Sequence, residues 1–140
     1  MINRALYSSD RDNWETPQAF FDQLNDEFHF TLDAFAADDN AKCDKYYTLE
    51  SDGLKKDWTG EIVFANPPYG RQIGQFVKKC HDEAKKPGTT VVMLIHARTD
   101  TRWFHDYIYG QAELRFVRGR LKFGNSKNSA PFPSMVVIFR

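Results

Sequence analysis

The chain has 140 residues, of which 41% are hydrophobic, and its 19 Lys and Arg are balanced by 19 Asp and Glu. This length suits one domain with a core of its own. No apolar run approaches the roughly 20 residues that a membrane-spanning helix needs, which excludes such a helix. The N-terminus also has no apolar signal-peptide core, so we expect a cytoplasmic protein.

The two halves of the chain differ in charge. Residues 1–60 carry 6 Lys and Arg against 13 Asp and Glu, a net charge of −7. Residues 61–140 carry 13 Lys and Arg against 6 Asp and Glu, a net charge of +7. One explanation is chance combined with solvated helix faces. The other is an acidic half that holds a cationic ligand and a basic half that meets phosphate.

The chain begins with a polar segment and a predicted helix. Residues 1–12 are polar, and we expect a flexible N-terminus ahead of a single domain over 13–140. Thr16 is predicted to be the helix N-cap, with Pro17 at the first helical position. The apolar residues of this helix recur at helical spacing, at Phe20, Phe21, Leu24 and Phe28.

The rest of the chain alternates between predicted strands and helices. Residues 30–32 form a short predicted strand that ends at Asp33, and residues 36–60 are polar and irregular. The later predicted elements are a buried strand over 61–65, a helix over 72–86, a very hydrophobic strand over 90–95, a helix over 101–109 and strands over 113–117 and 135–139. This order predicts an α/β fold with a mostly parallel sheet and flanking helices.

A tetrapeptide, Asn66-Pro67-Pro68-Tyr69, directly follows the predicted strand over 61–65. In an open α/β sheet, ligands bind beyond the carboxyl ends of the strands, so an active site is expected here. Because Asn and Pro are also ordinary turn formers, a simple strand-ending turn is the alternative.

These four residues suit methylation of a planar exocyclic amine, such as N6 of adenine. The lone pair of that amine is delocalised into the ring, so an enzyme must hold the amine with acceptors that favour tetrahedral geometry. The Asn66 side-chain oxygen and the Pro67 carbonyl are two such acceptors, and consecutive prolines stiffen the loop. The Tyr69 ring offers a stacking surface for a base that has left the duplex.

Several segments, in this order along the chain, resemble the Dam-type DNA N6-adenine methyltransferases of bacteriophages and prophages. They are Trp14-Glu15-Thr16-Pro17, Leu32-Asp33-Ala34-Phe35-Ala36, Asp52-Gly53-Leu54 with Asp57-Trp58, Asn66-Pro67-Pro68-Tyr69, Ala97-Arg98-Thr99-Asp100-Thr101 with Trp103-Phe104, Gly119-Arg120-Leu121-Lys122-Phe123, and Ala130-Pro131-Phe132-Pro133-Ser134. The resemblance implies a compact, truncated Rossmann-like methyltransferase fold. It also implies S-adenosylmethionine as cofactor and methyl transfer to N6 of a flipped adenine in double-stranded DNA, in the host cytoplasm if the chain is phage-encoded.

The resemblance also implies which residues hold the cofactor. Thr16-Pro17 is similar to a segment whose Thr meets the methionine carboxylate, and Asp33 to an acidic residue near the methionyl ammonium. Asn66 would adjoin the cofactor as well as the amine. Asp52 either accepts from the cofactor's adenine amine or is a turn residue before Gly53. Three residues are candidates for the ribose hydroxyls: Asp38, Asp39 and Asn40.

One departure concerns the glycine-rich loop that these enzymes usually carry after the first strand. Residues 33–45 contain no glycine. Either the small residues Ala34, Ala36 and Ala37 suffice there, or cofactor binding is rearranged.

DNA contacts are expected from the basic half of the chain. The candidate phosphate ligands are Arg71, Arg98, Arg102, Arg118, Arg120, Lys122 and Lys127. The resemblance implies a second aromatic residue that stacks on the flipped base, either Phe123, which we favour, or Phe132; core packing is the alternative for both. His96 follows the strand over 90–95 and is expected to line the pocket.

Other features limit the function without identifying it. A chain of 140 residues has no room for a separate target-recognition domain, so we expect a short or relaxed recognition sequence. Cys43 and Cys80 form no spaced set of metal ligands, and we expect free thiols, no disulfide and no metal. The alternative functions are methylation of N4 of cytosine, methylation of a protein glutamine, and DNA binding without catalysis.

Overall fold

A computed structural model describes residues 14–48, 50–124 and 128–140 of the chain. The helical elements are α1 (Gln18–Phe28), a 3-10 turn (Gly53–Lys55), α2 (Ile73–Glu83) and a π-helical turn (Phe104–Ile108). The strands are β1 (Leu32–Asp33), β2 (Ile62–Ala65), β3 (Thr90–His96), β4 (Glu113–Phe116) and β5 (Ser134–Phe139). Among the described helices, none is long and apolar enough to cross a membrane.

The five strands form one sheet in the order β1-β2-β3-β5-β4. Strands β1, β2 and β3 pair in parallel, and β5 is antiparallel to both β3 and β4. Four strands therefore run in one direction and β5 runs in the other. The predicted α/β fold with a mostly parallel sheet and flanking helices is confirmed.

The core lies on both faces of the central strands. Residues 91–96 of β3 and all six residues of β5 are buried, which explains why both segments are apolar on both sides of the strand. Their antiparallel register pairs Val92 with Ile138 and His96 with Ser134. This pairing brings the end of β3 next to the start of β5.

The predicted N-cap of α1 is wrong in its detail. The cap position is Pro17, without a side-chain cap hydrogen bond, and the Pro17 carbonyl accepts from the N–H groups of Phe20 and Phe21. The Thr16 hydroxyl instead contacts Asn66, so a tertiary hydrogen bond replaces the local one. The predicted inner face is otherwise confirmed, since Phe21, Leu24 and Phe28 are buried and Phe20 is half-buried.

Two other helices differ from their predicted extents. Helix α2 ends at Glu83, short of Lys86. The helix predicted over 101–109 is a π-helical turn, in which the Tyr109 N–H donates to the Phe104 carbonyl. Hydrophobic spacing over so few residues does not distinguish the two kinds of turn.

Candidate active site

The parallel strands bring three chemically important residues to one edge of the sheet. Asp33 ends β1, Asn66 directly follows β2, and His96 ends β3. Because β1, β2 and β3 are adjacent and parallel, their carboxyl ends meet at the same edge. Two cavities of about 490 Å³ each lie at this edge.

The first cavity lies between the segment before α1, the end of β1 and the loop after β2. Among the described residues, four carboxylates and one lysine line it: Glu15, Asp33, Asp38, Glu50 and Lys42. Its wall is therefore acidic, and its size falls in the ordinary range for small-molecule sites. Both features suit a cationic ligand.

Asp33 is the buried carboxylate of this cavity, with 4% of its surface exposed. Its side chain accepts a hydrogen bond of 3.0 Å from the Lys42 backbone N–H. Burial raises the pKa of Asp33 to about 6, against the lowering effect of backbone hydrogen bonds from Lys42 and Phe35. The Lys42 ammonium, for its part, donates to Gln18. Because burial penalises the charge on Asp33, a cationic ligand placed here would stabilise the charged form.

The side chain of Asn66 has one satisfied end and one unsatisfied end. Its Nδ2 donates to the Trp14 carbonyl and, at 2.9 Å, to the Thr16 hydroxyl oxygen. Its Oδ1 is buried and has no hydrogen-bond partner within the described part of the chain. Since buried acceptors are nearly always paired, this oxygen is the expected place for a donor from a substrate.

The prolines and the tyrosine after Asn66 form a buried, rigid segment. Pro67 and Pro68 are buried and line the first cavity. Tyr69 donates from its hydroxyl to the Leu94 carbonyl at 2.7 Å, and burial holds the pKa of Tyr69 well above its usual range. Its ring is 6% exposed and forms part of the wall of the second cavity. Base stacking on Tyr69 stays a prediction.

The second cavity is lined mainly by rings, among them Trp14, Tyr69, His96, Trp103 and Phe132. His96 is stacked on Trp103, with ring centroids 5.7 Å apart and planes within 10°. Burial lowers the pKa of His96, which favours its neutral imidazole. Its Nδ1 is buried and unpartnered within the described residues, which leaves a polar atom in an aromatic environment.

The two candidate stacking residues occupy different positions. Phe132 lines the second cavity, and its ring centroid is 5.6 Å from that of Tyr69. Phe123 is buried beside Trp14 and Tyr69, and is not among the residues found to line either cavity. Phe132, and not Phe123, which we favour from the sequence, thus lies where a ligand could meet its ring, and base stacking on either residue stays a prediction.

The predicted DNA-binding cations are on the surface. Arg71 and Arg98 line the second cavity, and all six described candidates are exposed: Arg71, Arg98, Arg102, Arg118, Arg120 and Lys122. Lys127 lies outside the described residues. Within the described chain, none of the six is in an ion pair, so each can meet phosphate without breaking one.

The remaining predicted cofactor residues divide into two groups. Asp38 and Asn40 line the first cavity, whereas Asp39, Asp52 and Pro17 are not among the residues found there. The Asp52 side chain accepts from the Leu54 N–H at 3.2 Å and precedes the 3-10 turn, which favours the turn role. Cofactor contacts of Asp52 stay a prediction with no support from this placement.

The structure also adds residues that sequence reasoning missed as site residues. Trp14 lines both cavities, and Phe35, Lys42, Thr48 and Glu50 line the first. Trp14 had a signal, because it opens the first resembling segment. Phe35 carries the same kind of signal, because it lies in the second resembling segment, whereas Lys42, Thr48 and Glu50 lie in the irregular segment and carry none.

The loop after β1 has no glycine, but a glycine from a later turn packs closely against the end of β1. A methyl group added at Gly53 would lie 2.2 Å from the backbone oxygen of Ala34. The close approach at the end of β1 therefore comes from Gly53, which the sequence places in the following irregular segment.

Comparison with known proteins identifies the family of the chain. The Dam family model, described as DNA N-6-adenine-methyltransferase, matches residues 4–140. The chain is 30% identical over 147 residues to the DNA N-6-adenine-methyltransferase of Haemophilus phage HP1 (strain HP1c1), covering 99% of this chain and 84% of that protein. It is 33% identical over 113 residues to the DNA N-6-adenine-methyltransferase of Escherichia phage T1, covering 79% of this chain and 47% of that protein. The chain belongs to the Dam family of DNA N-6-adenine-methyltransferases.

Proposed function

We propose that this chain transfers a methyl group from S-adenosylmethionine to N6 of adenine in double-stranded DNA, with Asn66 as its central catalytic residue. Membership of the Dam family supports adenine methylation of DNA and a methyl donor. The observation that carries the catalytic assignment is the buried, unpartnered Oδ1 of Asn66 at the carboxyl end of β2.

The residues of the first cavity fit S-adenosylmethionine. The buried Asp33 carboxylate would pair with the methionyl ammonium. The Thr16 hydroxyl has one hydrogen left to donate to the methionine carboxylate, since its oxygen accepts from Asn66. Asp38 and Asn40 are the cavity residues that we assign to the ribose hydroxyls.

The chain's own part in the reaction is to hold the amine. Asn66 Oδ1 and the Pro67 carbonyl accept hydrogen bonds from the two N–H groups of the amine. These hydrogen bonds draw the nitrogen lone pair out of the ring and toward the methyl group. When bound, S-adenosylmethionine supplies that methyl group on a sulfonium, which leaves as a neutral thioether. The nitrogen forms one bond to carbon and loses one proton, which passes to water.

The second cavity is our candidate for the flipped base. Tyr69 and Phe132 offer ring surfaces, and the neutral His96 offers an unpartnered nitrogen for the polar edge of a base. Arg71 and Arg98 at the same cavity would hold the flanking phosphates. A DNA substrate also implies action in the cytoplasm, that of the host cell if the gene is a phage's.

The test compares wild-type protein with Asn66→Ala and with Gln23→Ala, which removes an exposed amide from α1. Each protein is incubated with DNA and labelled S-adenosylmethionine, and the nucleosides are identified by mass. We expect N6-methyladenine from wild type and Gln23→Ala, and a loss of roughly a hundredfold or more in Asn66→Ala.

Four results would contradict the proposal. Unchanged activity of Asn66→Ala would remove its catalytic assignment. N4-methylcytosine as the product would favour the cytosine alternative, and a labelled protein glutamine the protein substrate. If calorimetry detected no S-adenosylmethionine binding to wild type, a DNA-binding protein without catalysis would be favoured.

A further inference from the structure

We infer that Thr16 is a positioning residue for methyl transfer, because its hydroxyl and the Trp14 carbonyl together hold the Asn66 amide with only its oxygen toward the reacting amine. The inference deepens the proposed function and rests on it. Nothing in the adenine chemistry itself requires a hydroxyl at this place.

The contacts that carry the inference lie at one end of Asn66. Its two Nδ2 hydrogens have two acceptors, the backbone carbonyl of Trp14 and the hydroxyl oxygen of Thr16 at 2.9 Å. Thr16 is 4% exposed and lies 50 residues before Asn66 in the sequence. Both donors of the amide are thus used, and Oδ1 remains without a partner among the described residues.

The direction of the amide follows from the chemistry of these partners. The two ends of an Asn side chain have nearly the same shape, so packing alone does not choose between them. A backbone carbonyl only accepts, so the reversed amide would place two oxygens against each other. The reversed amide would also present N–H groups to the substrate amine, whose own hydrogens need acceptors.

The hydrogen bond between Thr16 and Asn66 explains why Thr16 does not cap helix α1. A Thr immediately before a Pro at a helix start usually turns its oxygen to the helix N–H groups. Here α1 has no side-chain cap hydrogen bond, and the hydroxyl oxygen accepts from Asn66 instead. Replacing Thr16 should therefore cost α1 little in capping and act mainly on Asn66.

The kinetic test uses Thr16→Val, which keeps the shape and removes the acceptor, and Thr16→Ser, which keeps the acceptor. We expect kcat to fall roughly tenfold in Thr16→Val, the scale of one lost hydrogen bond to a buried group. Thr16→Val also removes the proposed donor to the methionine carboxylate, so the KM for S-adenosylmethionine should rise as well, and the fall in kcat at saturating cofactor is the measure of the effect on the amide. Thr16→Ser should restore most of kcat, and thermal melting should show that each variant is folded.

A second variant tests the amide direction directly. Asn66→Asp still offers an acceptor to the amine, but it places a carboxylate oxygen against the Trp14 carbonyl. We expect it to lose at least as much kcat as Thr16→Val. An Asn66→Asp enzyme with wild-type kcat would overturn the inference, as would Thr16→Val with wild-type kcat or with a change confined to the KM for S-adenosylmethionine.

A measurement without turnover separates this inference from the proposed function. In the free wild-type protein, the Asn66 side-chain NH2 signals in a nitrogen-15 NMR spectrum, assigned by their absence in Asn66→Ala, should exchange slowly with water. Thr16→Val should speed that exchange, and Thr16→Ser should not. Exchange that is equally fast in wild type and Thr16→Val overturns the positioning role, whereas protected NH2 signals in a protein that makes no N6-methyladenine overturn only the proposed function.

Discussion

The Asp33 carboxylate is buried, and the positive charge near it does not offset the effect of burial on its pKa. Its pKa is about 6, raised from 3.8 by burial, so its charged form is less favourable in the folded free protein than in the unfolded chain. This has a consequence for stability with a definite sign. Between about pH 4 and pH 6 the folded protein binds the Asp33 proton more tightly than the unfolded chain, so this group makes the free protein less stable as the pH rises through that range.

Cofactor binding should have the opposite dependence on pH. A methionyl ammonium needs the charged carboxylate, so we expect the affinity for S-adenosylmethionine to fall by about tenfold per pH unit below roughly pH 6. Calorimetry between pH 5 and pH 8 measures this directly. Asp33→Asn should bind weakly at every pH, with a flatter profile. An equally steep profile in Asp33→Asn would assign the pH dependence to another of the cavity carboxylates.

At the scale of elements, the end of β1 packs against a turn that comes nineteen residues later in the sequence. Gly53 in this turn lies so close to the Ala34 carbonyl that a side chain would not fit. The turn is also tied to the core, because the fully buried Trp58 donates from its indole N–H to the Gly53 carbonyl at 3.2 Å. A side chain at position 53 would push this turn away from the wall of the first cavity.

Gly53→Ala should therefore lower the free energy of unfolding by about 2 kcal/mol or more, because the clash is with backbone. Gly74→Ala is the matched control: its methyl group would meet Trp103 Cβ at 3.8 Å, an ordinary contact. In helix α2 it should be neutral or stabilise by up to about 1 kcal/mol. Urea unfolding compares the two, and equal stability of both variants would contradict this account of Gly53.

The elements that could be predicted from the sequence are those that depend on residues close together along the chain. Strands β2 and β3 are continuous apolar runs in the sequence. Because β1, β2 and β3 are parallel neighbours, their arrangement alone brings Asp33, Asn66 and His96 to one edge. The contact between Thr16 and Asn66 has no such cause, since it depends on how the segment before α1 crosses the sheet edge. For the same reason the cap of α1 was predicted incorrectly.

At the scale of the whole molecule, the charge asymmetry of the sequence becomes an arrangement of two cavities. The charged residues that line the first are four carboxylates and one lysine, and the second carries Arg71 and Arg98. The functional explanation of the asymmetry therefore has a structural basis. The exposed Lys85 lies between the end of α2 and the start of β3, at the opposite end of the sheet from this edge.

These cations predict how DNA binding depends on salt. Each phosphate contact contributes about 0.9 to the slope of log affinity against log salt concentration, so Arg71→Ala and Arg98→Ala should each make the slope shallower by about one. Lys85→Ala, at the amino end of the sheet, should leave it unchanged. Fluorescence anisotropy with a labelled duplex gives all four slopes. A shallower slope in Lys85→Ala alone would place the duplex on another face.

Trp14 gives the molecule a built-in optical reporter. It lines both cavities, Trp103 lines the second, and the third tryptophan, Trp58, is fully buried. S-adenosylmethionine should therefore perturb mainly Trp14 emission, and DNA should perturb both Trp14 and Trp103 over a constant Trp58 background. Titrations of Trp14→Phe and Trp103→Phe separate the two signals; a cofactor response that survives in Trp14→Phe would contradict this expectation. With that assignment, one unlabelled sample follows the order in which cofactor and DNA arrive.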